Sequence, residues 1–332
     1  MAPDLSAASS LVVVKPSSLG DVVHALPTIH YIKRAHPHLD IRWIVNTEWA
    51  PLLADNPDLS STILFPRRQM RGLRGIPTTL RFRRLLKKLA PVDLVLDLQG
   101  LLRSALISRQ LKPRHLAGMS DAREGATNFY DPCITVDPAA HAVDRYLTTA
   151  TALGVPTDPE HLAFPLPQGS PSTEFAPPDS TYVVLHPFSR GQGKSLSHQH
   201  IRHFCSALAP ATVVLAGVTT SAVTDLPPNT VDATNKTTLS ELIHLLRNSA
   251  YTVSVDSGPM HIAAAITPRL LGIHTWTDPR KVGPYTPGTV AWKSGRIAPR
   301  NDFSAGECQA DSTLANGDID TITNHVQAVL DD

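Results

Sequence analysis

Short apolar runs alternate with amphipathic segments along both halves of the chain, a pattern typical of strands followed by helices. In the first half we predict strands at 11–14, 41–45, 62–65 and 93–98, and helices near 48–54, 78–89, 101–110 and 141–153, with a main helix that Pro27 begins and that ends near Ala35. In the second half we predict strands at 181–186, 212–216, 230–233, 251–255 and 269–274, and helices near 198–209, 238–248, 259–265 and 320–330. This alternation predicts two doubly wound parallel sheets of the α/β class.

A proline-rich stretch separates the two halves. Residues 164–180 contain five prolines and almost no periodicity. We therefore predict an N-terminal domain over residues 1–165, a linker over 166–180 and a C-terminal domain over 181–332, whose final helix packs back on the first domain. Ligands of open α/β sheets bind at the carboxyl ends of the strands, so we expect a ligand cleft between the two Rossmann-like domains.

Composition narrows the class of protein. The chain has 332 residues, of which 42% are hydrophobic and 18% charged, with a net charge of +1, as expected for two globular domains. Cys133, Cys205 and Cys308 are odd in number and widely spaced, which argues against a disulfide framework or a zinc site. No apolar run approaches the roughly 20 residues that span a bilayer, and the first residues lack a signal-peptide pattern. We expect a soluble, cytoplasmic protein.

One stretch combines a strand, an abrupt turn and a small-residue helix. It runs from Val253 to Ala265, and Pro259 suits the first turn of the helix. Unpaired amide groups at such a helix start attract phosphate or diphosphate, here beside Asp256, Ser257 and His261. An ordinary turn between strand and helix is an equally good reading of this stretch alone. A second strand, turn and helix carries Asp21 in the first half.

The loop from Ser189 to Ser195 resembles two nucleotide-binding motifs but matches neither. A P-loop requires glycine where this chain has Phe188, and a dinucleotide fingerprint requires glycine at Leu196. Arg190 and Lys194 remain as cations after a strand, where they could neutralise a diphosphate. A solvated basic loop is the alternative.

Nine arginines and lysines occur between Arg67 and Lys88 with no acid among them. The first part lies in a loop that could reach a ligand, whereas the second lies on an amphipathic helix and favours a solvated face over a membrane-facing one. Nucleic acid is a weaker interpretation, because Phe82 is the only interleaved aromatic residue. Asp318 and Asp320 are better explained as helix caps than as metal ligands, so we predict no metal site.

Several motifs together resemble one known family: Val13–Pro27, Asp97–Gly100, Arg123–Gly125, Tyr130-Asp131, His141–Arg145, His186-Pro187 and Val255–Ala264. They resemble glycosyltransferase family 9, most closely the lipopolysaccharide heptosyltransferases that add the first inner-core heptose. The resemblance implies a GT-B fold and inverting, metal-independent transfer from ADP-heptose to a Kdo sugar of a Kdo-lipid A type acceptor. It implies no cofactor besides the donor substrate, peripheral contact with the inner membrane and no nucleic-acid partner.

The resemblance also assigns residues. Asp21 stands at the position of the general base, and Lys194 meets the charge that develops on the leaving diphosphate. The predicted donor contacts are Ser189, Arg190, Lys194, Asp256, Ser257, Gly258, His261 and Thr277. The predicted acceptor contacts are Ser18, Gly20, Arg67, Arg68, Arg71, Arg123, His141 and Arg145.

The chain departs from the family pattern in two places. Leu196 and Ser197 stand where an aromatic residue and a proline usually follow the loop lysine, and Gly217–Ser221 holds no acid where the family usually grips the ribose. Two alternatives stay open. One is a transferase of the same fold that uses another nucleoside-diphosphate sugar, and the other is a non-catalytic protein that binds a sugar nucleotide.

Overall fold

The computed structural model describes residues 3–172, 174, 181–191, 193–309 and 311–331. The chain divides into two compact units, Met1–Pro167 and Gln168–Asp332. Part of the predicted linker, residues 173 and 175–180, lies outside the described residues. In the described part, the backbone N–H of Ser170 donates to the carbonyl of Ser240 at 3.3 Å, so the start of this segment is bonded to the second unit.

The first unit is one parallel sheet with helices between its strands. Its strands are β1 (Ser10–Val14), β2 (Asp40–Asn46), β3 (Ser61–Phe65), β4 (Leu94–Asp97), β5 (His115–Met119) and β6 (Cys133–Ile134). Its helices are α1 (Leu19–Ala35), α2 (Ile76–Leu89), α3 (Leu102–Gln110) and α4 (Ala142–Ala152), with 3-10 helices at Thr47–Leu53, Leu73–Gly75 and Ala126–Phe129. The strand order is β3-β2-β1-β4-β5-β6, and every pair is parallel.

The second unit repeats this plan and adds one strand. Its strands are β7 (Tyr182–His186), β8 (Thr212–Gly217), β9 (Thr230–Thr234), β10 (Tyr251–Val255), β11 (Leu270–Ile273), β12 (Val290–Lys293) and β13 (Arg296–Ala298). Its helices are α5 (His198–Ala207), α6 (Leu239–Arg247), α7 (Gly258–Ile266), α8 (Pro279–Val282), α9 (Ala305–Gln309) and α10 (Asn316–Asp331), with a 3-10 helix at Arg300–Asp302. The order is β13-β12-β11-β10-β7-β8-β9, and only the β12–β13 pair is antiparallel.

The two sheets have the same topology. Numbered from its own first strand, each places six strands in the order 3-2-1-4-5-6, as in the doubly wound nucleotide-binding fold. The strand order reverses between β1 and β4 in the first unit and between β7 and β10 in the second. Loops at such a reversal diverge to opposite faces of the sheet and leave a crevice for a ligand. The fold therefore directs attention to the residues after these four strands.

Helix α1 begins earlier than predicted. The sequence interpretation started it at Pro27, whereas it begins at Leu19 and contains Pro27 in its interior. The reason is a capping box, in which the Asp21 carboxylate accepts a hydrogen bond from the backbone N–H of Ser18 at 2.8 Å. Asp21 is therefore in the first helical turn rather than in a preceding loop.

One side of the final helix packs in the core of the second unit. Ile319, Ile322 and Val326 of α10 are fully buried with side chains of β7, β8, β10 and α5, while the packing of this helix on the N-terminal domain stays a prediction. His203 of α5 is also hydrogen-bonded to Asp320 at 2.6 Å. The apolar side chains of α10 recur at helical spacing and form one stripe. Burial of this stripe against the core of the second unit explains the packing.

Candidate active site

Asp21 lies at the surface of the first unit, after β1. Its Oδ2 accepts hydrogen bonds from the backbone N–H and the hydroxyl of Ser18, at 2.8 and 2.7 Å. Its Oδ1 accepts a longer bond of 3.4 Å from the Tyr146 hydroxyl, and 37% of the side chain is exposed. Gly20, beside it, is buried. The predicted base is thus fixed in orientation through one oxygen and still accessible to solvent.

Lys15 lies behind Asp21 and was not predicted. Its buried ammonium donates to the carbonyl of Leu98 at 3.0 Å and lies 4.0 Å from Asp21 Oδ2. Burial lowers the pKa of Lys15, while the carboxylates of Asp21 and Asp97 act in the opposite direction. A lysine directly after a buried strand was the available sequence signal. The positive charge of Lys15 offsets the negative charge of the Asp21 carboxylate.

Tyr146 is the third member of this group. Burial, followed by the negative charge of Asp21, raises the pKa of Tyr146 well above its usual value, so the phenol stays protonated. The hydroxyl is therefore a donor to Asp21. Its ring lies under the Lys15 ammonium, 5.2 Å from the centroid.

Three predicted acceptor residues lie on α4 or on the loop after β5, in different environments. Arg145 donates to Asp121 at 2.5 Å, and its Nε is buried with no hydrogen-bond partner among the described residues. His141 is only 1% exposed, and its Nδ1 accepts from the backbone of Val143 to cap α4. Arg123 is exposed, and its backbone N–H donates to the Gly100 carbonyl at 2.8 Å. The buried His141 holds the start of the helix that carries Arg145.

An arginine-lined cavity lies beside the end of β3. It has a volume of about 470 Å³, and its charged lining residues are Arg67, Arg71, Arg83 and Arg103. A smaller cavity of about 150 Å³ shares Arg67 and Arg103 and extends to Ser17, next to the cap of α1. Arg68, in contrast, is 72% exposed and lies 3.4 Å from Glu48. The structure thus brings two of the three loop arginines together.

Arg83 and Arg103 were missed by the sequence interpretation. Arg83 was assigned with its neighbours to the solvated face of α2, because spacing along one helix does not show which side chains border a cavity with a second helix. Arg103 follows β4 on α3, close to the Asp97–Gly100 motif. Together they place four guanidinium groups around one cavity that no acidic side chain lines. A cavity of this kind suits carboxylate or phosphate groups.

The second unit gathers several predicted donor residues at its strand reversal. The Lys194 ammonium donates to Asp256 Oδ2 at 2.5 Å, and the Ser189 hydroxyl donates to the backbone carbonyl of Asp256 at 3.3 Å. Ser257 is the N-cap of α7, which begins at Gly258 with Pro259 in its first turn. The loop after β7 and the turn after β10 are therefore in direct contact, as an anion site formed by both requires.

The other predicted donor residues lie around this contact. His261 is buried one turn into α7, and Arg190 is exposed on the loop after β7. Thr277 follows β11, where its hydroxyl is hydrogen-bonded to Nδ1 of His274 at 2.9 Å. Burial alone would raise the pKa of Asp256, but the neighbouring histidines and the Lys194 ammonium outweigh it and hold that pKa below its usual value. Asp256 is consequently an anion at neutral pH.

His186, from the predicted His186-Pro187 motif, supports Ser257 from beneath. Its Nδ1 lies 3.3 Å from the hydroxyl of Ser257 and 3.4 Å from that of Ser254. Burial lowers the pKa of His186 to about 4, so the ring is neutral. A Cβ atom at Gly217 would lie 2.9 Å from His186 Nε2, so the close approach of β8 requires glycine there.

Trp276 lies beside the predicted donor residue Lys194 and was not predicted as a site residue. The centre of its ring lies 4.4 Å from the Lys194 ammonium, and 49% of the residue is exposed. Its loop is held in place because the Thr275 hydroxyl donates to the Gly193 carbonyl at 3.2 Å and buried Lys293 donates to the Thr275 carbonyl at 2.7 Å. The only sequence signal was an aromatic residue beside Thr277 in the predicted donor segment.

Two features are absent from the described residues. No group of three or more histidine, cysteine, aspartate or glutamate side chains in this part of the chain is arranged to hold a metal ion. Across the same residues, no helix has both the length and the apolar character needed to cross a bilayer.

Known proteins are similar to this chain in both sequence and fold. Residues 82–310 match the family model described as glycosyltransferase family 9 (heptosyltransferase). Lipopolysaccharide heptosyltransferase 1 of Pseudomonas aeruginosa strain PAO1 is 30% identical over 326 residues, covering 90% of this chain and 85% of that protein. The lipopolysaccharide core heptosyltransferase OpsX of Haemophilus influenzae is 26% identical over 296 residues, covering 84% of this chain and 82% of that protein.

Solved structures agree on the fold. The Escherichia coli heptosyltransferase WaaC with ADP superposes with a TM-score of 0.74 at 21% identity, covering 96% of this chain and 99% of that one. The predicted fold class, GT-B with two parallel-sheet α/β units, is therefore confirmed. The family resemblance seen in the motifs is confirmed as well, because both the family model and a relative at 30% identity extend over most of the chain. This chain belongs to glycosyltransferase family 9, the heptosyltransferase family.

Proposed function

We propose that this protein is an inverting glycosyltransferase that moves L-glycero-D-manno-heptose from ADP-heptose to a Kdo sugar of the lipopolysaccharide inner core. The observation that carries the proposal is the contact of Lys194 with the turn Asp256–Gly258 at the strand reversal of the second unit. It supplies one ammonium and the amide groups of a helix start to a diphosphate. Membership of the heptosyltransferase family supports heptose as the sugar.

The leaving group needs charge neutralisation. When the bond from the anomeric carbon to the diphosphate oxygen breaks, its electron pair stays on ADP. Lys194 and the amides at Ser257 and Gly258 would meet that charge, and Arg190 lies exposed on the same loop as a second cation. Interactions that strengthen as charge develops lower the barrier, which is the role we assign to Lys194.

The attacking hydroxyl needs a proton acceptor. As the acceptor oxygen bonds to the anomeric carbon, its proton passes to a carboxylate, which we assign to Asp21. Oδ2 accepts two short hydrogen bonds from Ser18, Oδ1 accepts a 3.4 Å hydrogen bond from the Tyr146 hydroxyl, and 37% of the side chain is exposed. An acceptor hydroxyl can therefore reach the exposed part of this carboxylate. A general base typically contributes about 10²–10⁴ in rate.

The acceptor is anionic, and the first unit offers cations for it. Arg67 and Arg71 border the larger cavity, Arg123 is exposed on the loop after β5, and Arg145 has a buried Nε without a partner among the described residues. Arg68, with its exposed side chain, is a further candidate, and Ser18 with Gly20 would contact the sugar beside Asp21. Guanidinium groups bind carboxylates and phosphates in a bidentate manner, which suits a Kdo-lipid A type acceptor. We infer that the enzyme acts at the cytoplasmic face of the inner membrane.

A donor and acceptor assay tests the proposal. Purified protein is incubated with deacylated Kdo-lipid A and, in turn, with ADP-heptose and with UDP- and GDP-linked sugars; nucleotide release and product mass are measured. We expect release of ADP and a mass gain of one heptose, with inverted anomeric configuration by NMR. Faster release of UDP or GDP would indicate another donor sugar. Donor binding by calorimetry without turnover of any pair would instead support the non-catalytic alternative.

A further inference from the structure

Exposed apolar side chains are concentrated in one part of the first unit. Of the nine large hydrophobic residues that are exposed in the described part of the chain, seven lie between residues 64 and 106. Leu73 is the most exposed of all nine, at 86%. Six of them lie on or just before α2 and α3, and we call these six the α2–α3 face: Leu73, Ile76, Leu80, Leu85, Leu102 and Leu106.

Helical spacing mixes these side chains with cations on the solvent side. On α2, Phe82 and Leu86 are buried, whereas Ile76, Leu80, Arg84 and Lys87 recur at intervals of three or four residues on the opposite, exposed side. On α3, Leu102, Leu106 and Arg109 are likewise exposed and share one side. The two helices are neighbours, since they line the arginine cavity together.

The segment from Arg67 to Lys88 and helix α3 carry charge of one sign, and the acids beside them, Glu48 near Arg68 and Glu124 at the smaller cavity, come from other segments. Nine cations and no acid occur between Arg67 and Lys88, and α3 adds Arg103 and Arg109 without an acid. A helix face that is merely solvated usually mixes charges of both signs and seldom exposes leucine at every turn. Leucine interleaved with arginine and lysine is the pattern of a surface that inserts apolar side chains between anionic lipid headgroups.

We propose that the α2–α3 face docks on an anionic lipid bilayer, with its leucines in the interface and its arginines and lysines on lipid phosphates. The inference rests on the proposed function, which provides a lipid-borne acceptor. It adds a location: the arginine cavity lies between the same two helices, and the smaller cavity that shares Arg67 and Arg103 with it extends to Ser17, next to the cap of the helix that carries Asp21. Docking here would therefore bring a membrane-anchored anionic sugar to the acceptor side of the first unit.

Vesicle co-sedimentation tests this surface with the full-length protein. The probes are vesicles of phosphatidylethanolamine with one quarter phosphatidylglycerol, and vesicles of phosphatidylcholine alone. A cation next to an anionic surface contributes about fivefold to partitioning, so Arg84→Gln with Lys87→Gln should weaken binding to the anionic vesicles about 25-fold. Leu80→Ser with Leu106→Ser should weaken it about tenfold or more. Added salt should weaken the wild type more than the charge variant.

Matched controls separate chemistry from folding. Arg84→Lys with Lys87→Arg keeps the charge, and Leu80→Met with Leu106→Met keeps the apolar area, so both should bind like the wild type. Arg269→Gln with Lys236→Gln removes two cations from the second unit and should also bind like the wild type. All variants should transfer heptose to a deacylated acceptor at the wild-type rate, which keeps this test independent of the proposed function.

Two results would overturn the proposal. One is wild-type protein that transfers heptose normally but sediments with neither kind of vesicle, or equally well with both kinds. The other is self-association by light scattering that the leucine variants abolish, with no vesicle binding, which would make the α2–α3 face a contact between copies of this chain. If the wild type binds vesicles but transfers no sugar, the docking surface stands and the proposed function fails.

Discussion

The ammonium of Lys194 lies 2.5 Å from Oδ2 of Asp256, and both side chains are largely buried. Sequence interpretation had assigned both residues to the donor. Each of these charges neutralises the other, and the pairing matters because an unpaired buried charge is costly. In the proposed reaction the diphosphate competes with Asp256 for this ammonium. Asp256 then becomes an acceptor for a sugar hydroxyl.

Replacing Lys194 tests this relationship. In Lys194→Met we expect kcat/KM for the donor to fall about 10²–10³-fold, as is typical when one donor to a developing anion is removed. Stability should also fall by several kcal/mol, because the buried Asp256 carboxylate loses its partner. Nucleotide release kinetics and guanidinium unfolding measure the two effects.

A double variant separates the two roles of Lys194. Lys194→Met with Asp256→Asn removes both charges, so we expect it to regain much of the lost stability while activity stays low. Recovery of activity in the double variant would remove Lys194 from the diphosphate role. Lys236→Gln, at an exposed site of the second unit, serves as the charge control.

Trp276 should act through the same ammonium. A cation over an indole ring is stabilised by about 0.5–2 kcal/mol. The same interaction is weaker over a phenylalanine ring, and leucine has no ring to provide it. We therefore expect ADP to bind progressively more weakly from the wild type to Trp276→Phe to Trp276→Leu, by up to about tenfold in calorimetry. In the Lys194→Met background the Trp276 substitutions should have no further effect. Phe129→Leu, which removes a ring near Arg109 in the first unit, should leave ADP binding unchanged.

The architecture followed from local patterns, whereas much of the site did not. Alternating apolar runs gave both sheets and most helices, because buried parallel strands are continuous apolar segments. They missed β5, in which Gly118 leaves room for Tyr130, the two-residue β6, and the short edge strands β12 and β13. Pro27 was given too much weight at the start of α1 because the Ser18–Asp21 cap is a side-chain interaction that residue type alone does not fix.

Contacts between segments that are distant in the chain limit how much of the site the sequence can predict. Motifs identified Asp21, Lys194 and the Asp256 turn because each is a local strand, turn and helix. Lys15 and Trp276 became visible only when folding brought them next to those residues, and Arg83 only when α2 and α3 formed a cavity wall. No single segment carries that information, since it depends on which loops adjoin in the sheet order.

Asp21→Asn is the sharpest test of the proton acceptor. The amide can still accept hydrogen bonds from Ser18 and keep the cap of α1, but it cannot take the acceptor's proton. We expect kcat to fall about 10²–10⁴-fold, with ADP affinity unchanged because the proposed donor site lies in the second unit. Steady-state transfer to deacylated acceptor and calorimetry with ADP give the two values. A variant that retains wild-type kcat would require another base.

Metal removal tests the predicted metal independence. Since Lys194, Arg190 and the start of α7 are assigned to the diphosphate, we expect transfer to continue at the wild-type rate after dialysis against EDTA. Adding magnesium back should change kcat by less than about twofold, by screening free ADP-heptose rather than by completing the site. Activity that EDTA abolishes and one divalent ion restores would overturn the prediction.

The buried His186 should make the protein less stable in mild acid. Its pKa is about 4 in the folded protein because of burial, against about 6.5 for an exposed histidine. Between these values the unfolded chain binds a proton that the folded chain does not, so stability falls as pH decreases from 6.5 to 4. By linkage, His186 alone should lower the free energy of unfolding by about 2 kcal/mol between pH 7 and pH 5.

The comparison that isolates His186 uses guanidinium unfolding of the wild type and His186→Asn at both pH values. His274, whose pKa burial also lowers to about 4, should contribute a similar loss in both proteins. The variant is expected to be less stable at pH 7, since the hydroxyls of Ser254 and Ser257 lose their ring partner, yet to lose about 2 kcal/mol less than the wild type on acidification. His38→Gln, at an exposed position, should follow the wild type. Equal pH dependence in the wild type and His186→Asn would mean that the His186 ring titrates normally. It would contradict the role of His186 as a neutral ring that is hydrogen-bonded to Ser257.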